Sequence, residues 1–562
     1  MAKKRPPAAA TTYHMPPLAW LAGILVFTCL LYLKSLPGQF LNYDDTVNVA
    51  DNALIRQLTP DHIRQLFLQA SLYMYAPLTF ISYGIDHYLF GPDPFFFKLT
   101  NLVLHLVNIS LLFFLSLRLF RKTMPAAFLA LLFAIHPMNV DTVSWISARS
   151  NLLSALFYLL ALLFYLNYLK EKKTGWLVMV ALSFILSLLS KSAAIMLPAT
   201  LFVIDYLNNR KITLRGIMEK LPLFITGALF GIAAIYFRSD AGNPQSLMEY
   251  NTVDRILMVS YSLVGYLFNT ILPFHLSAIY AYPLKSGSFL PIAYYLSPLL
   301  LAGLIFLLFR LKVLKREFVS GLLFFLINIM ITQVVLLEDG FMANRYGYLP
   351  CIGLIFIMAA AFDYLIAGSG IRKNTSVILL AILILFFSVS TWQRSQVWKN
   401  TLVLFSDVVE KSPGSAFALN NRGIARYAEN DMDGALSDYT MAITIFPRYS
   451  GAYYNRGIVY YGMKDFGRAE QDYSTAIELN PGFSSCFMAR GILEMDVMRN
   501  DTLAMSDYNR AIMLNPGMAQ AYYNRGILRL RMKEVGQACE DFHRVRSLGY
   551  SRADDLIRQF CE

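Results

Sequence analysis

The sequence predicts an all-α protein in two parts, a polytopic bundle of about eleven membrane-spanning helices and a C-terminal α-solenoid. Three observations carry this. Of 562 residues, 56% are hydrophobic and only 15% are charged, whereas a soluble chain carries roughly a quarter charged residues. The first two thirds hold a series of apolar runs near the length of a membrane crossing, about 20 residues. The last third instead repeats a 34-residue pattern of small and aromatic residues.

The runs lie near residues 18–34, 97–117, 124–137, 151–169, 175–190, 192–207, 221–237, 291–309, 318–337, 347–366 and 375–392. The first follows a short basic start, Lys3, Lys4 and Arg5. No small-residue cleavage site comes after it, so it reads as an uncleaved helix rather than a signal peptide. A further stretch, 254–280, is apolar but broken by Pro273.

Basic residues orient the bundle, because they concentrate in cytoplasmic loops. Dense groups occur at Lys3/Lys4/Arg5, Arg118/Arg121/Lys122, Lys170/Lys172/Lys173, Arg210/Lys211/Arg215/Lys220, Arg310/Lys312/Lys315/Arg316 and Arg372/Lys373. The intervening loops carry isolated cations: Arg56 and Arg64, Arg149, Lys191, Arg238, Lys285 and Arg345. The alternation stays in phase if 254–280 is re-entrant or interfacial. The N-terminus is then inside, and the C-terminal array and the long loop after the first helix are outside the cytoplasm. The formal net charge of +12 might suggest a nucleic-acid partner. From Lys399 onward, however, there are 19 basic and 20 acidic residues, which leaves 30 and 17 in the apolar part. The excess belongs to loops between membrane helices, and no nucleic acid is expected. Of five cysteines, Cys29 and Cys351 fall in apolar spans and are expected to pack. Cys486, Cys539 and Cys561 form no zinc spacing and leave a bridge among them open.

Self-similarity organises the C-terminal part. Arg-Gly pairs place glycine at 423, 457, 491 and 526, and prolines fall at 413, 447, 481 and 516. Asp-aromatic pairs are Asp438-Tyr439, Asp472-Tyr473, Asp507-Tyr508 and Asp541-Phe542. The period is 34 residues, with one extra residue between Gly491 and Ala504. A 34-residue helix-turn-helix unit with small residues at the helix crossing is the tetratricopeptide repeat, whose units stack into a superhelix with a concave groove. Such a groove predicts a polypeptide partner. One position per repeat reads Asn421, Asn455, Ala489 and Asn524. Repeated amides can pair with a peptide backbone, an arrangement similar to the asparagine ladder of the cytosolic O-linked N-acetylglucosamine transferase. The alternative is that they are solvated helix positions. Tyr454 and Tyr523 join them as groove candidates. The expected domains are a membrane domain over 1–397 with an external loop at 35–95, a linker or partial repeat helix at 398–414, four repeats over 415–551, and a cap or tail at 552–562.

Polar residues at the membrane edge are candidates for function. Four groups map to the external face: Asn42-Tyr43-Asp44-Asp45; His136 to Asp141 with Arg149 and Asn151; Lys191; and Glu338-Asp339 with Asn344 to Pro350. Carboxylates beside isolated cations suit a site for an anionic lipid headgroup and a hydroxyl. A transporter is disfavoured, because the ionisable groups sit at one face rather than the midplane.

The order Asp44-Asp45, Tyr75-Ala76-Pro77-Leu78-Thr79, Asn101 and His105, His136-Pro137 and Asp141, Ser190-Lys191, then Arg345-Tyr346 and Tyr348-Leu349-Pro350, ahead of a tetratricopeptide tail, resembles the transmembrane and tetratricopeptide-repeat O-mannosyltransferase family. The resemblance covers essentially the whole chain. It implies a GT-C type glycosyltransferase fold and a polyprenyl-phosphate sugar as donor. Family members often carry Lys-Glu at Lys191-Ser192, Gly-Arg-x-Asp at Ala148 to Asn151, and Glu in place of Asn344, which leaves donor identity and metal use open.

The chemistry such a reaction needs can be assigned. A carboxylate within reach takes the acceptor hydroxyl's proton, and Asp44 and Asp45 are the catalytic candidates. The departing phosphate needs a cation; Arg345 comes first because its planar fork matches phosphate oxygens, then Lys191 and Arg149. One in-line displacement inverts the anomeric centre. A divalent cation, Mg or Mn, could bridge carboxylate and phosphate, with Asp45, His136 and Asp141 as conceivable ligands. His136 reads equally as a packed, hydrogen-bonded residue, and Tyr346 and Tyr348 as interfacial belt residues. The expected partners are the polyprenyl-phosphate sugar, an acceptor polypeptide and membrane lipids. The rival reading is a non-catalytic membrane scaffold whose repeats assemble envelope or secretory-pathway proteins. The expected location is a bacterial inner membrane with the repeats in the periplasm, the alternative being the endoplasmic reticulum with the repeats in the lumen.

Overall fold

The structure, a computed structural model, describes residues 15–68, 75–239, 250–310, 315–334, 340–367 and 371–562. Lys3, Lys4, Arg5, Lys312, Glu338 and Asp339 lie outside the described residues, as do the side chains of Arg238, Arg372 and Lys373. Two compact units divide the chain, Met1–Asp407 and Val408–Glu562.

The principal helices of the first unit are α1 (Pro17–Tyr32), α2 (Pro77–Phe90), α3 (Pro94–Phe120), α4 (Thr123–Ala134), α5 (Arg149–Glu171), α6 (Thr174–Ser190), α7 (Leu197–Leu207), α8 (Leu221–Ser239), α9 (Thr252–Ile271), α10 (Ile292–Arg310), α11 (Arg316–Val334), α12 (Cys351–Ile366) and α13 (Ile371–Val397). Local chemistry sets their ends. Pro94 opens α3 behind Asp93, whose side chain accepts the Phe95 N–H. Helices α3 and α5 close on left-handed residues, Arg121 at φ 55° and Lys172 at φ 56°. A capping box of Asn251 and Asp254 starts α9. Pro273 ends it, because the residue before a proline is driven out of helical backbone.

Each expected apolar run overlaps a helix among the described residues. Five segments combine span length with span hydropathy: Pro17–Ser35, Pro94–Phe120, Ile146–Glu171, Leu214–Phe237 and Asn374–Val397. The pair Thr123–Ala134 and Pro137–Ser144, bent by 48°, makes a sixth if it crosses as one. Helices Thr174–Ser190, Ser192–Leu207, Ile292–Leu308 and Cys351–Ile366 are apolar but shorter. A count of eleven crossings therefore enlists helices below a full span. The protein is multi-pass on the long helices alone. The stretch 254–280 is α9 plus an irregular tail, and α9 buries Leu257, Met258 and Tyr266 in a cluster with Phe325, Ile329 and Met342.

Inside the bundle, polar groups find one another because lipid offers no partners. The Tyr158 hydroxyl lies 2.6 Å from Thr200 Oγ1 and 2.8 Å from Asn328 Oδ1, joining α5, α7 and α11. Asp205 at the end of α7 accepts from Tyr165 and from Lys220, each at 2.7 Å. Gly321 and Gly353 bring the backbones of α11 and α12 into direct contact, where a Cβ on either would strike the other chain segment.

The second unit is the expected array. A leading helix, Thr401–Lys411, begins at the end of the first unit. The repeats pair Ala416–Ala428 with Met432–Ile445, Ser450–Gly462 with Phe466–Leu479, Ser484–Leu493 with Asp501–Leu514, and Ala519–Arg531 with Val535–Ser547. Each turn carries one left-handed residue, Asn430, Lys464, Arg499 or Lys533. In the first three repeats the next side chain, Asp431, Asp465 or Asn500, caps the second helix. The extra residue of the third repeat is taken up by a π-helical turn at Glu494–Met498, the usual way for a helix to absorb one residue. Helix Asp554–Phe560 caps the array, and a disulfide joins Cys539 to Cys561. Cys486 is buried and unbridged.

The two sequence signatures turn out to be one lock. In each repeat the arginine forks onto the aspartate with Nε and Nη2, at 2.6–3.0 Å: Arg422 to Asp438, Arg456 to Asp472, Arg490 to Asp507 and Arg525 to Asp541. The adjacent glycine leaves room for the ring beside that aspartate. A Cβ at Gly457 would lie 2.7 Å from Tyr473 Cε1. The free Nη1 of Arg456, Arg490 and Arg525 reaches Thr440, Ser474 and Asn509 of the preceding repeat, so the same side chain links neighbours.

Gly457→Ala should therefore destabilise the array by about 1–3 kcal/mol, the usual cost of overpacking. Gly467→Ala, where a Cβ meets nothing, should stabilise it by about 0.5–1 kcal/mol. Circular-dichroism melts of the full-length variants check both, and equal melts would refute the ring-seat account.

Candidate functional site

The segment after α1 turns back on itself around Asp45. Its carboxylate is fully buried and accepts the Leu41 N–H at 3.1 Å, the Ser147 N–H at 3.0 Å and the Ser147 hydroxyl at 2.6 Å. The loop after α1 is thus fastened to the turn that leads into α5. Asp44, one residue earlier, holds φ at 78°, a backbone region a non-glycine residue occupies at a cost. Its carbonyl accepts the Asn48 N–H at 2.8 Å, starting a π-helical turn over Thr46–Ala50. Consecutive residues cannot share a direction, and here Asp45 goes to the interior.

Tyr43 stacks on Trp145 with ring centroids 4.6 Å apart and planes 6° apart. Trp145 in turn stacks on Trp398 at 5.7 Å. Over this platform lies Arg345, its guanidinium 4.9 Å from the Trp145 ring and 5.1 Å from the Tyr346 ring. It donates to the Tyr43 hydroxyl at 3.3 Å. The Asp44 carboxylate is among the charges that act on this guanidinium. Lys191, in the break between α6 and α7, donates to Asn151 Oδ1 at 2.5 Å and sits 4.7 Å over the Tyr346 ring. Arg345, Lys191, Asn151 and Tyr346 line one cavity with no carboxylate among its lining residues. Two cations face it, and aromatic faces hold both. Such a cavity favours an anion.

The structure therefore gathers Arg345, Lys191 and Tyr346 at one cavity, brings the Asp44 charge to bear on Arg345, and leaves other candidates elsewhere. Arg149 is not a phosphate ligand here. It is fully buried and paired with Asp86 at 2.6 Å, and it donates to Asn101 Oδ1 and Phe97 O at 2.8 Å each. His105 is also buried, with Nδ1 2.8 Å from the Tyr348 hydroxyl and Nε2 3.3 Å from Ala134 O. Tyr348 is committed to that contact and to Asn108, which donates to it at 3.2 Å. His105 acts as a packed polar residue, while Tyr348 also lines the cavity.

The conceived metal set of Asp45, His136 and Asp141 does not assemble. Both Asp45 oxygens hold the loop. His136 accepts the Met138 N–H on Nδ1 and meets Thr270 O with Nε2 at 2.9 Å. Asp141 accepts from Asn344, Trp398 and Arg394. Among the described residues no three His, Cys, Asp or Glu side chains gather as a metal site.

In the repeats, the amides look inward. Asn421 is 6% exposed and donates to Phe417 O, Asn455 donates to Asn420 Oδ1, and Asn524 accepts from Gln520. Asn421 and Asn524 find partners one turn back in their own helices, and Asn455, half-buried, bonds across to the preceding repeat. The Nδ2 group of Asn524 alone among these three is buried with no partner. Tyr454 packs on Phe483, and Tyr523 lies under Arg552.

Sequence reasoning missed Trp145 and Trp398, and with them the aromatic platform on which Tyr43, named only as part of the Asn42–Asp45 group, is stacked. Nothing in spacing marks an aromatic residue as platform rather than core. It also missed Asp86, Lys98 and Arg394, whose signal was an ionisable group in or beside apolar helix. Lys98 is buried and donates to Trp398 O at 2.9 Å, and Arg394 joins Asp141 to Asp407.

Burial raises the Asp45 pKa to about 6, against the opposing hydrogen bonds from Ser147 and Leu41. A raised carboxylate pKa adds stability that is complete below its ordinary value and lost as pH rises through about 6. Asp45→Asn cannot titrate. The Tm difference between parent and Asp45→Asn should therefore favour the parent more at pH 4.5 than at pH 7. Equal differences at the two pH values would mean that the carboxyl titrates near its ordinary range.

Comparison with known proteins agrees with this layout. The profile of the dolichyl-phosphate-mannose-protein mannosyltransferase family matches residues 75–237, and that of the tetratricopeptide repeat matches residues 450–483. A protein O-mannosyl-transferase of Caenorhabditis elegans is 24% identical over 445 residues, covering 76% of this chain and 62% of the relative. Protein O-mannosyl-transferase TMTC4 of Mus musculus is 26% identical over 495 residues, covering 76% of this chain and 66% of the relative. The chain thus spans somewhat less than two thirds of the length of these relatives. Among solved structures, the tetratricopeptide protein YrrB aligns with 26% of this chain and 77% of its own at 21% identity and TM-score 0.24. Over about three quarters of its length, this multi-pass chain with its repeat tail is similar to protein O-mannosyl-transferases of the transmembrane and tetratricopeptide-repeat type.

Proposed function

We propose that the protein is a membrane O-mannosyltransferase that moves mannose from a polyprenyl-phosphate donor to Ser or Thr hydroxyls of a polypeptide bound by the repeats. The observation that carries this is a cavity lined by Arg345 and Lys191 with no carboxylate among its lining residues, and with the Asp44 charge acting on the Arg345 guanidinium. The donor phosphate takes the place of the missing anion, with the Arg345 fork and the Lys191 ammonium on its oxygens. Asp44 accepts the proton of the attacking hydroxyl. The new bond forms from that oxygen to the anomeric carbon as the bond to the phosphate oxygen breaks. The sugar leaves inverted, and the negative charge stays on the lipid phosphate beside the two cations. Asp45 serves as a positioning residue, since the clamp on Ser147 and Leu41 fixes the backbone that carries Asp44. A purely scaffolding protein has no use for a strained aspartate whose charge acts on the Arg345 guanidinium.

The test is transfer from a polyprenyl-phosphate mannose donor to a Ser/Thr peptide with purified full-length protein. Asp44→Asn keeps shape but cannot take a proton, and should lower the rate by about 10²–10⁴-fold with donor binding retained. Arg345→Lys should weaken donor binding as well, since an ammonium cannot form the fork. Transfer at the parental rate by Asp44→Asn would remove it as the base. No transfer by the parent from any donor would favour the scaffold.

We further infer that the repeats lie on the non-cytoplasmic side. The alternation of basic loops supports this, and so does the Cys539–Cys561 bridge, since disulfides persist in oxidising compartments. A reporter active only in the cytoplasm, fused after Arg394, should be silent. A bright signal would reverse the orientation and make α9 a crossing.

A further inference from the structure

A second cavity opens far from the first. It lies at the C-terminal ends of α3 and α5, the ends remote from Asn151 and Lys191. Helix α5 runs 23 residues between the two, about 34 Å at 1.5 Å per residue. The cavity has a volume of about 540 Å³ and is lined by five cations, Arg118, Arg121, Lys170, Lys172 and Arg210, with no carboxylate among its lining residues.

Basic residues at this membrane face are expected from topology alone, so their pairing is the informative feature. Two cations that flank the cavity but do not line it are neutralised: Lys122 pairs with Asp363 at 2.7 Å and Lys173 with Glu171 at 3.0 Å. Among those that line it, Arg210 has carboxylate partners, Glu219 at 2.6 Å and Asp205 at 3.5 Å. The other four make no ion pair among the described residues. Arg118 is instead held by neutral oxygens, Asn167 Oδ1 at 2.8 Å and Leu163 O at 3.3 Å. These orient the guanidinium without spending its charge. The left-handed turns at Arg121 and Lys172 end both helices here and gather the basic side chains around one hollow. Mutual repulsion of four unpaired cations is relieved when an anion enters.

We propose that this cavity binds a phosphate-bearing anion, supplied either by the headgroup of an acidic membrane lipid or by a soluble phosphate compound. Guanidinium and ammonium groups together suit phosphate oxygens, and basic pockets between membrane helices are known sites for acidic headgroups. This site is separate from the donor cavity and does not depend on the reaction assigned there.

Purified full-length protein in neutral detergent, titrated below the micelle threshold with short-chain phosphatidylglycerol, short-chain phosphatidylcholine or inorganic pyrophosphate, tests this by the shift in Tm. Stabilisation by phosphatidylglycerol but not phosphatidylcholine identifies a lipid source, and stabilisation by pyrophosphate alone a soluble one. In either case Arg121→Gln/Lys170→Gln should weaken the apparent affinity about thirtyfold, two basic contacts of about 1 kcal/mol each. Lys122→Gln/Lys173→Gln should not. If the first double variant misfolds, Arg121→Gln alone, at an exposed helix end, should show about a fivefold loss. No binding of any anion, equal stabilisation by the two lipids, or equal weakening by the two double variants would overturn the proposal.

Discussion

The Asp45 carboxylate fastens the segment after α1 to the turn before α5, and the candidate site depends on that attachment. Its oxygens take two backbone N–H groups and a hydroxyl. Such a buried acceptor is costly unless each lone pair is used. With it satisfied, the backbone at Asp44 has little choice, and the left-handed φ of 78° persists because its surroundings determine it. The same attachment sets Tyr43 on Trp145, and the stacked rings form the floor over which Arg345 rests.

The rest of the membrane unit is arranged so that the cavity keeps its cations. Arg149 and Asp86 neutralise each other in the interior beside it, and removal of either partner of such a pair typically costs about 3–5 kcal/mol. Asp141 is likewise consumed by Asn344, Trp398 and Arg394. Asp86 and Asp141 are therefore spent on framework, while Arg345 and Lys191 are held by aromatic faces and neutral oxygens. Positive charge is left over at the cavity. The basic cavity at the far ends of α3 and α5 follows the same rule, with neutral partners in place of carboxylates.

In the repeat unit one arginine does three things at once. It forks onto an aspartate of its own hairpin, stands beside the glycine that seats an aromatic ring, and reaches back to the previous hairpin. This explains why Arg-Gly and Asp-aromatic recur in phase. Aspartate burial is tolerable because the fork satisfies both oxygens. The departure from period, one residue in the third repeat, leaves the lock intact because a π-helical turn takes it up between Arg490 and Asp507.

The sequence by itself determined the helical class, the two-part organisation, the positions of the apolar runs and the phase of the repeats. These depend on local composition and periodicity, which hydrophobic burial converts directly into helices and hairpins. It also marked Asp44, Arg345, Lys191 and Tyr346 as candidates, since ionisable and aromatic groups at a membrane edge are conspicuous in an apolar chain. It did not separate them from Arg149, His105, His136 and Asp141, which carry the same signal. What distinguishes the two sets is partnership: Asp86 lies 63 residues from Arg149 and Trp398 lies 257 from Asp141. Only the tertiary structure decides which charges are neutralised by distant neighbours and which face a cavity, because electrostatic pairing acts through space and leaves no periodic trace along the chain.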